Sequence, residues 1–382
     1  LLIAVRSALA RKARHEGQIL PEHPTVGVEE EFLLIGADNE PAPANRAVAE
    51  KARARGVELQ LELTTCQVET TTGVLATSGE LRDELLRLRR VAAEAAGACD
   101  VRLLAIGLPP YMSQEFPVTD TPRYRRIGER FGMLAREQGV CGCHVHVEVP
   151  DRESAVEASN RLRAWLPLLL ALTANSAIYH NAETGYASWR SILWGRWPAA
   201  GPPPFFDSVD DYDDTVRMLI DTGTVLDDGM IYWDVRPSTK YPTIEVRVAD
   251  VPSTVAETVL LATLVRAFVM TALDEMRRGE PALRVPTDVL RAAYWKAAHD
   301  GLDGHAIDLA GDRRLVPARH LLMDFVDRIA PALHSLGEHE WVNSELARLS
   351  EEGNGAMRQL RAWQVRGDAA DVIAAAEQAT IS

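Results

Sequence analysis

Lysine is scarce in this chain: only Lys12, Lys51, Lys240 and Lys296 stand among its 41 basic residues, and the rest are arginine. None of the four follows a glycine, which excludes a Walker A loop. Any clamp for phosphate or carboxylate is therefore expected to be built mainly from arginine, whose planar fork suits bidentate recognition. Positive charge is short overall, with a formal net charge of −14. Nucleic acid and anionic membrane surfaces are accordingly not expected as partners, because both require a basic patch. Cysteine is also sparse. Four in 382 residues are too few for a disulfide scaffold and fit a reducing compartment, so a cytoplasmic location is expected. The longest apolar run, Leu166 to Ala174, is interrupted by Pro167 and is too short to span a bilayer. The mildly apolar start, Leu1 to Lys12, lacks a preceding basic region and an evident cleavage site and is not read as a signal peptide. A G-x-S-x-G elbow, an H-E-x-x-H pair and a dinucleotide fingerprint are all missing. So are solenoid repeats and low-complexity tracts.

What is present is patterned. Residues 1–23 read as a short helix and tether, and residues 24–382 as a single catalytic domain. Strands are expected at Thr25–Ile35, Glu58–Thr71, Val101–Ile106, Cys143–Val149, Met230–Val235 and Thr243–Ala249. A helix from about Gly79 to Ala96 opens with a Thr77…Glu80 capping box and stops at Gly97. Pro122–Gln138 reads as another helix, and Asp151 caps a long helical region that Pro167 breaks or kinks. From Ser253 onward the pattern is helical. Strands in the first two thirds and helices in the last third predict an α+β fold around a mainly antiparallel sheet.

Alternation along a strand places residues i and i+2 on one face. Glu29 and Glu31 then share a face, as do His144, His146 and Glu148, and as do Glu245 and Arg247. Valines and isoleucines occupy the opposite faces of the last two strands. Glu62 and Glu69 are seven residues apart, so a regular strand would split them; a bulge near Thr64–Cys66 is expected to bring them together. Taken singly, each strand reads as the solvent face of an antiparallel sheet. Taken together, the polar positions are restricted to Glu, His and Arg. A face with that many carboxylates repels itself unless cations neutralise it, and hard divalent cations with oxygen ligands do so. Mg²⁺ or Mn²⁺ bridging carboxylates to phosphates is therefore expected, with the histidines as phosphate or metal contacts and Arg247 as a clamp on a transferring phosphoryl group. Glu30 takes the parity of Val28 and Phe32, and a partly exposed place at a sheet edge is the expectation for it.

Zinc is the competing metal, since Cys141–His146 packs two thiols and two imidazoles into six residues. The spacing is poor for it, because the adjacent Cys143 and His144 point opposite ways. The Gly- and Trp-rich segment 181–207 offers Arg190 and Arg196 as phosphate or carboxylate ligands, or else is a loop packed on the sheet by its tryptophans. Arg236 and Lys240 precede the Glu245/Arg247 strand and are candidates of the same kind.

Gly27-Val-Glu-Glu-Glu-Phe32, His144-x-His146, Gly185-Tyr-Ala-Ser-Trp-Arg190, Trp194-Gly-Arg-Trp197, Tyr232–Lys240 and Ile244–Asp250 together resemble the bacterial carboxylate–amine ligases of the glutamate–cysteine ligase family, within the glutamine-synthetase-like superfamily. The late stretch Gly353–Gln359 resembles that family's C-terminal signature. The resemblance implies a curved sheet forming a funnel-shaped site backed by helices, with ATP and two or three Mg²⁺ ions inside. It implies metal ligation by Glu29, Glu31, Glu62, Glu69 and Glu245, with His144 near metal and phosphate and Arg247 on the transferred group. Arg190 and Arg236 would contact substrate or phosphate. Glu62 stands where the family commonly has Asp, and His146 where it commonly has Asn, changes that bear on the substrate rather than the chemistry. The implied activity joins a carboxylate to an amine through an acyl phosphate, releasing ADP and phosphate. Small-molecule carboxylate and amine substrates would be its partners, and a homodimer its assembly. A metal-dependent amide hydrolase and a catalytically inactive nucleotide-binding relative are the alternatives.

Overall fold

The computed structural model describes residues 23–113 and 115–382. The helix and tether expected over 1–23 lie outside the described residues except for His23. Eleven strands are assigned among the described residues: β1 (Val26–Ile35), β2 (Gln60–Leu61), β3 (Gln67–Thr71), β4 (Arg102–Leu104), β5 (Gly142–Glu148), β6 (Ile178–Tyr179), β7 (Ala182–Glu183), β8 (Val235–Pro237), β9 (Thr243–Asp250), β10 (His305–Ile307) and β11 (Leu315–Pro317). The main sheet runs β2-β3-β1-β5-β9-β8, with β4 also pairing β1. Its assigned pairs are antiparallel throughout. The fold is thus α+β with a helical C-terminal third, as the order of sequence patterns required.

One face of the sheet is apolar because the strands alternate. Val145, Val147, Ile244, Val246 and Val248 are all buried and pack against helices Arg152–Leu162, Leu166–Thr173 and Val255–Arg277. Each buried side chain of this kind contributes roughly 1.5–3 kcal/mol. Val255–Arg277 is apolar on all sides. It is long and apolar enough to cross a membrane by length and composition, yet 83% of its apolar window is buried inside the fold, where it forms the spine of the core. Thr77 caps helix Ser78–Gly97 through the expected reciprocal box with Glu80. Pro167 falls in the first turn of Leu166–Thr173, where a missing N–H costs nothing, so the long helical region is two helices. The single helix expected over Pro122–Gln138 is also divided, because Gly132 sits at φ +57° between Pro122–Phe131 and Met133–Arg136. The strand expected over Met230–Val235 is displaced. A 3₁₀ turn ends at Met230, Trp233 makes an isolated bridge to Gly201, and the strand itself starts at Val235.

The reading of Glu30 as an edge residue is corrected. β1 lies between β3 and β5, and Glu30 is fully buried on the helix side. Arg89, also fully buried, donates to it twice, Nε to Oε2 at 3.0 Å and Nη2 to Oε1 at 2.5 Å. Thr258 Oγ1 donates a further bond at 2.6 Å. Arg89 also donates to the carbonyls of Pro252, Ser253 and Thr380, fastening the C-terminal helix Ala369–Thr380 to the sheet. A buried charge is tolerated only when it is paired and hydrogen-bonded on all sides, and this pair meets that condition.

Candidate functional site

The other face of the sheet gathers the charged residues. Register sets Glu29 opposite His144 and Glu31 opposite Glu69. His146 lies opposite Glu245, which in turn lies opposite Arg236. Five strands, with Glu62 just past the end of β2, thereby point carboxylates, imidazoles and guanidinium groups into one recess. Glu62 and Glu69 do meet, but not by a bulge. Gln60 pairs with Glu69 and Leu61 with Val68, so the chain reverses between β2 and β3 and face parity does not carry across the turn. Three sets of ligand atoms lie within 4.8 Å of one another: Glu29, His146 and Glu245; Glu29, Glu69 and His144; and Glu31, Glu62 and Glu69.

The hydrogen bonds fix most of these groups. Glu29 Oε2 lies 2.9 Å from His144 Nδ1, and Glu29 Oε1 lies 3.4 Å from His146 Nε2. His146 Nδ1 pairs with Thr243 Oγ1 at 3.0 Å, and its buried Nε2 is the nitrogen that faces Glu29. The backbone N–H of Gly142 donates to Glu31 Oε2 at 2.6 Å. Glu245 is gripped by Arg236, Nε to Oε2 at 2.8 Å and Nη2 to Oε1 at 3.3 Å, and by Arg247 Nη1 on Oε1. Arg247 Nη1 also lies 3.2 Å from His144 Nδ1. One ring nitrogen cannot both donate to Glu29 and accept from Arg247. The Nδ1–H tautomer serves the carboxylate and leaves Nε2, 3.9 Å from Glu31, with a lone pair toward the acids.

Charge sorts the acids into two groups. Burial raises the Glu29 carboxyl, but the bonds and charges of His144 and His146 outweigh it and hold it well below the usual range. Burial likewise works against ionised Glu245, and Arg247 and Arg236 overcome it. At the β2–β3 end the relief, from Arg247, is smaller than the penalty. Burial, with Glu31 next, pushes Glu62 up to about 8, and Glu69 is raised well above its ordinary value by burial and then by Glu62. Burial followed by Arg247 lowers His144, against the opposing pull of Glu29 and Glu31. Burial would lower Arg247 too, but Glu245 more than restores its charge.

The donor set suits hard divalent cations: mostly carboxylate oxygen, two imidazoles, and two acids whose repulsion only a proton or a cation relieves. Cys141 and Cys143 fall elsewhere, buried in two different apolar clusters, with His144 and His146 on the opposite face of β5. The remaining candidates divide. Arg236 reaches the cluster. Arg196 does not; its Nη1 pairs with Glu137 at 2.6 Å on the surface. Lys240 is exposed in the β8–β9 turn. Arg190 is only 3% exposed and lies behind Gly142, 3.6 Å from Asp250. Sequence reasoning passed over Asp250 and Thr243. A signal existed for Asp250, an acid at the parity of Val246 and Val248. A register irregularity sets one residue of β5, His144, against two of β9, Arg247 and Val248, and beyond it Ala249 takes the apolar side while Asp250 meets polar partners.

The family model for glutamate–cysteine ligase family 2 matches residues 25–375. The chain belongs to that family. Among its relatives, a Mycolicibacterium smegmatis protein named "Putative glutamate--cysteine ligase 2-3" is 62% identical over 364 residues, spanning 95% of this chain and 100% of that one. A Nocardia farcinica relative, "Putative glutamate--cysteine ligase 2-1", is 58% identical over 94% of each chain. Among solved structures, a glutamate–cysteine ligase of Francisella tularensis in complex with AMP superposes with a TM-score of 0.67 at 14% identity, covering 94% of this chain and 88% of that one. That likeness shows the shared fold. As a member of the glutamate–cysteine ligase family, the protein is an ATP-dependent carbon–nitrogen ligase.

Proposed function

We propose that this ligase activates a carboxylate by phosphoryl transfer from ATP and then joins it to an amine, releasing ADP and phosphate. The observation that carries the reading is the convergence of three acidic ligand sets around one buried arginine, Arg247. Glu29, Glu31, Glu62, Glu69 and Glu245 would hold Mg²⁺ or Mn²⁺, with His144 and His146 beside them. Bound there, the cations would neutralise the phosphate oxygens of the nucleotide. Arg247 supplies a fixed positive charge where the transferring group passes, held in place by Glu245. His144 is held beside it by Glu29. A carboxylate is a poor acyl donor because its oxygen leaves badly. Its attack on the terminal phosphorus turns that oxygen into part of a good leaving group. The amine then attacks the carbonyl carbon, the carbon–oxygen bond breaks, and phosphate departs with one oxygen of the original carboxylate. The family name makes the side-chain carboxylate of glutamate the first to test, and ADP release across a panel of amino acids and amines would identify the pair.

The test follows that oxygen. With the carboxylate labelled in heavy oxygen, mass analysis should find one label in the released phosphate. Label in AMP, or phosphate labelled only from solvent, would refute the acyl phosphate. A metal-dependent amide hydrolase would turn over without nucleotide.

A second test concerns metal and pH. In the metal-free protein Glu62 keeps a proton up to about pH 8 that the unfolded chain loses near 4.5. A raised folded-state value means that stability declines as pH rises across that window. Melting temperature in EDTA should therefore fall from pH 5 to pH 8, less steeply in Glu62→Gln. Mg²⁺, taking the proton's place, should raise the melting temperature more at pH 8 than at pH 6. An equal rise at both would separate Glu62 from the metal site.

A further inference from the structure

Arg190 and Asp250 are buried ionic groups in contact with the site but not pointed into it, and the phosphoryl-transfer reading does not use them. Asp250 is completely buried and saturated with donors. Its Oδ2 accepts from Asn175 N–H at 2.8 Å and Ser176 Oγ at 2.7 Å, and its Oδ1 accepts from Ser188 Oγ at 2.8 Å. Arg190 Nη1 stands 3.6 Å from Oδ1. The Arg190 backbone is also anchored, its N–H donating to Ser176 Oγ at 3.0 Å. The guanidinium lies directly against the backbone of Gly142. A Cβ built on Gly142 would come 2.4 Å from Arg190 Nη2, far inside contact distance. Gly142 in turn donates its N–H to Glu31.

The same chain of contacts runs outward to the C-terminal signature. Gln359 Oε1 accepts from Ala177 N–H at 2.9 Å, and its Nε2 donates to Asn175 O at 2.7 Å and Asn175 Oδ1 at 2.8 Å. Asn175 Nδ2 donates to Ala105 O at 3.0 Å and to Val251 O at 2.8 Å, next to Asp250. Gly355 is required beside it, since a Cβ there would lie 2.1 Å from Asn175 Oδ1. A path of buried contacts, polar except where Arg190 packs against Gly142, thus joins helix Gly355–Trp363 to Glu31.

We infer that Gln359, Asn175, Asp250 and Arg190 are positioning residues that hold Gly142, and through its N–H the Glu31 carboxylate, in place for a divalent cation. The inference rests on the metal reading proposed above and deepens it. It reassigns Arg190 from a phosphate contact to a support behind the ligand. Second-layer hydrogen bonds orient ligands, and their loss typically weakens metal binding about 10–100-fold.

The experiment measures Mn²⁺ binding to the purified full chain by the electron paramagnetic resonance of free Mn²⁺, alongside melting temperature and the KM for ATP. Arg190→Lys, Asp250→Asn and Gly142→Ala should each weaken one Mn²⁺ site about tenfold or more. Gln359→Ala, further out, should weaken the same site less. Ser188→Ala, which removes a single bond from Asp250, keeps the test available should Asp250→Asn not fold. Arg358→Ala serves as the comparison: it breaks an ion pair with Glu257 on the same helix as Gln359, and should lower the melting temperature without moving Mn²⁺ binding. Folded Arg190→Lys and Ser188→Ala proteins with unchanged Mn²⁺ binding would overturn the relay. So would a raised KM for ATP in Arg190→Lys with Mn²⁺ binding intact, which would make Arg190 a nucleotide contact. If the unaltered chain binds no Mn²⁺, the metal reading fails first and the relay with it.

Discussion

Replacing Arg247 by lysine should lower turnover about a thousandfold or more while the protein stays folded. Lysine keeps the charge but not the fork, and the site uses the fork. In Arg247, Nη1 lies against both Glu245 Oε1 and His144 Nδ1, while the buried Nε has no partner among the described residues. A flexible ammonium cannot hold that arrangement against the developing charge of a phosphoryl group. Glu245→Gln should have a comparable effect, because it removes the anion that orients Arg247 and Arg236 together with one acid of the ligand set. Both proteins should stay folded by circular dichroism, with Glu245→Gln melting lower because it leaves Arg236 and Arg247 short of their buried partner. Val246, between them, points the other way and is 1% exposed. Val246→Asp should unfold the protein, since an unpaired carboxylate would enter the apolar core. ADP release at saturating ATP and metal is the measurement. A normal rate in Arg247→Lys or Glu245→Gln would remove that residue from the chemistry.

Arg89→Met should be among the most damaging single changes away from the site. It would leave the Glu30 carboxylate buried with one hydroxyl donor, and would strip donors from the carbonyls of Pro252, Ser253 and Thr380. Breaking one side of a buried pair costs about 3–5 kcal/mol, a large fraction of the roughly 5–15 kcal/mol that holds a domain together. Urea denaturation should show that loss, or the variant should fail to accumulate folded. Replacing both partners with apolar residues should cost less than replacing Arg89 alone, because the penalty lies mainly in the stranded charge. An Arg89→Met midpoint equal to that of the unaltered chain would show that the pair does not support the sheet.

The acidic half of the site was readable because strand alternation is local. Glu29 with Glu31, His144 with His146, and Glu245 with Arg247 each follow from a period of two within one strand, as do the valines behind them. The capping box at Thr77 and Glu80 is local in the same way. What alternation cannot carry is anything that passes through a turn, a bulge or a change of partner. Glu62 reaches Glu69 because the chain reverses between β2 and β3, and Asp250 leaves its expected side because β9 holds one residue more than β5 at the irregularity. Glu30 looked like an edge residue until β1 took its place between two strands and Arg89, 59 residues away, reached its carboxylate. The arginines were recognisable as a class but not by role. Arg236 and Arg247 enter the cluster, Arg190 stands behind it, and Arg196 pairs with Glu137 at the surface. The sequence by itself determined which residues share a strand face, because that depends on backbone geometry over a few residues. Only the tertiary structure decided which faces meet and which charges are paired, because strand order and long-range burial depend on how the whole chain packs.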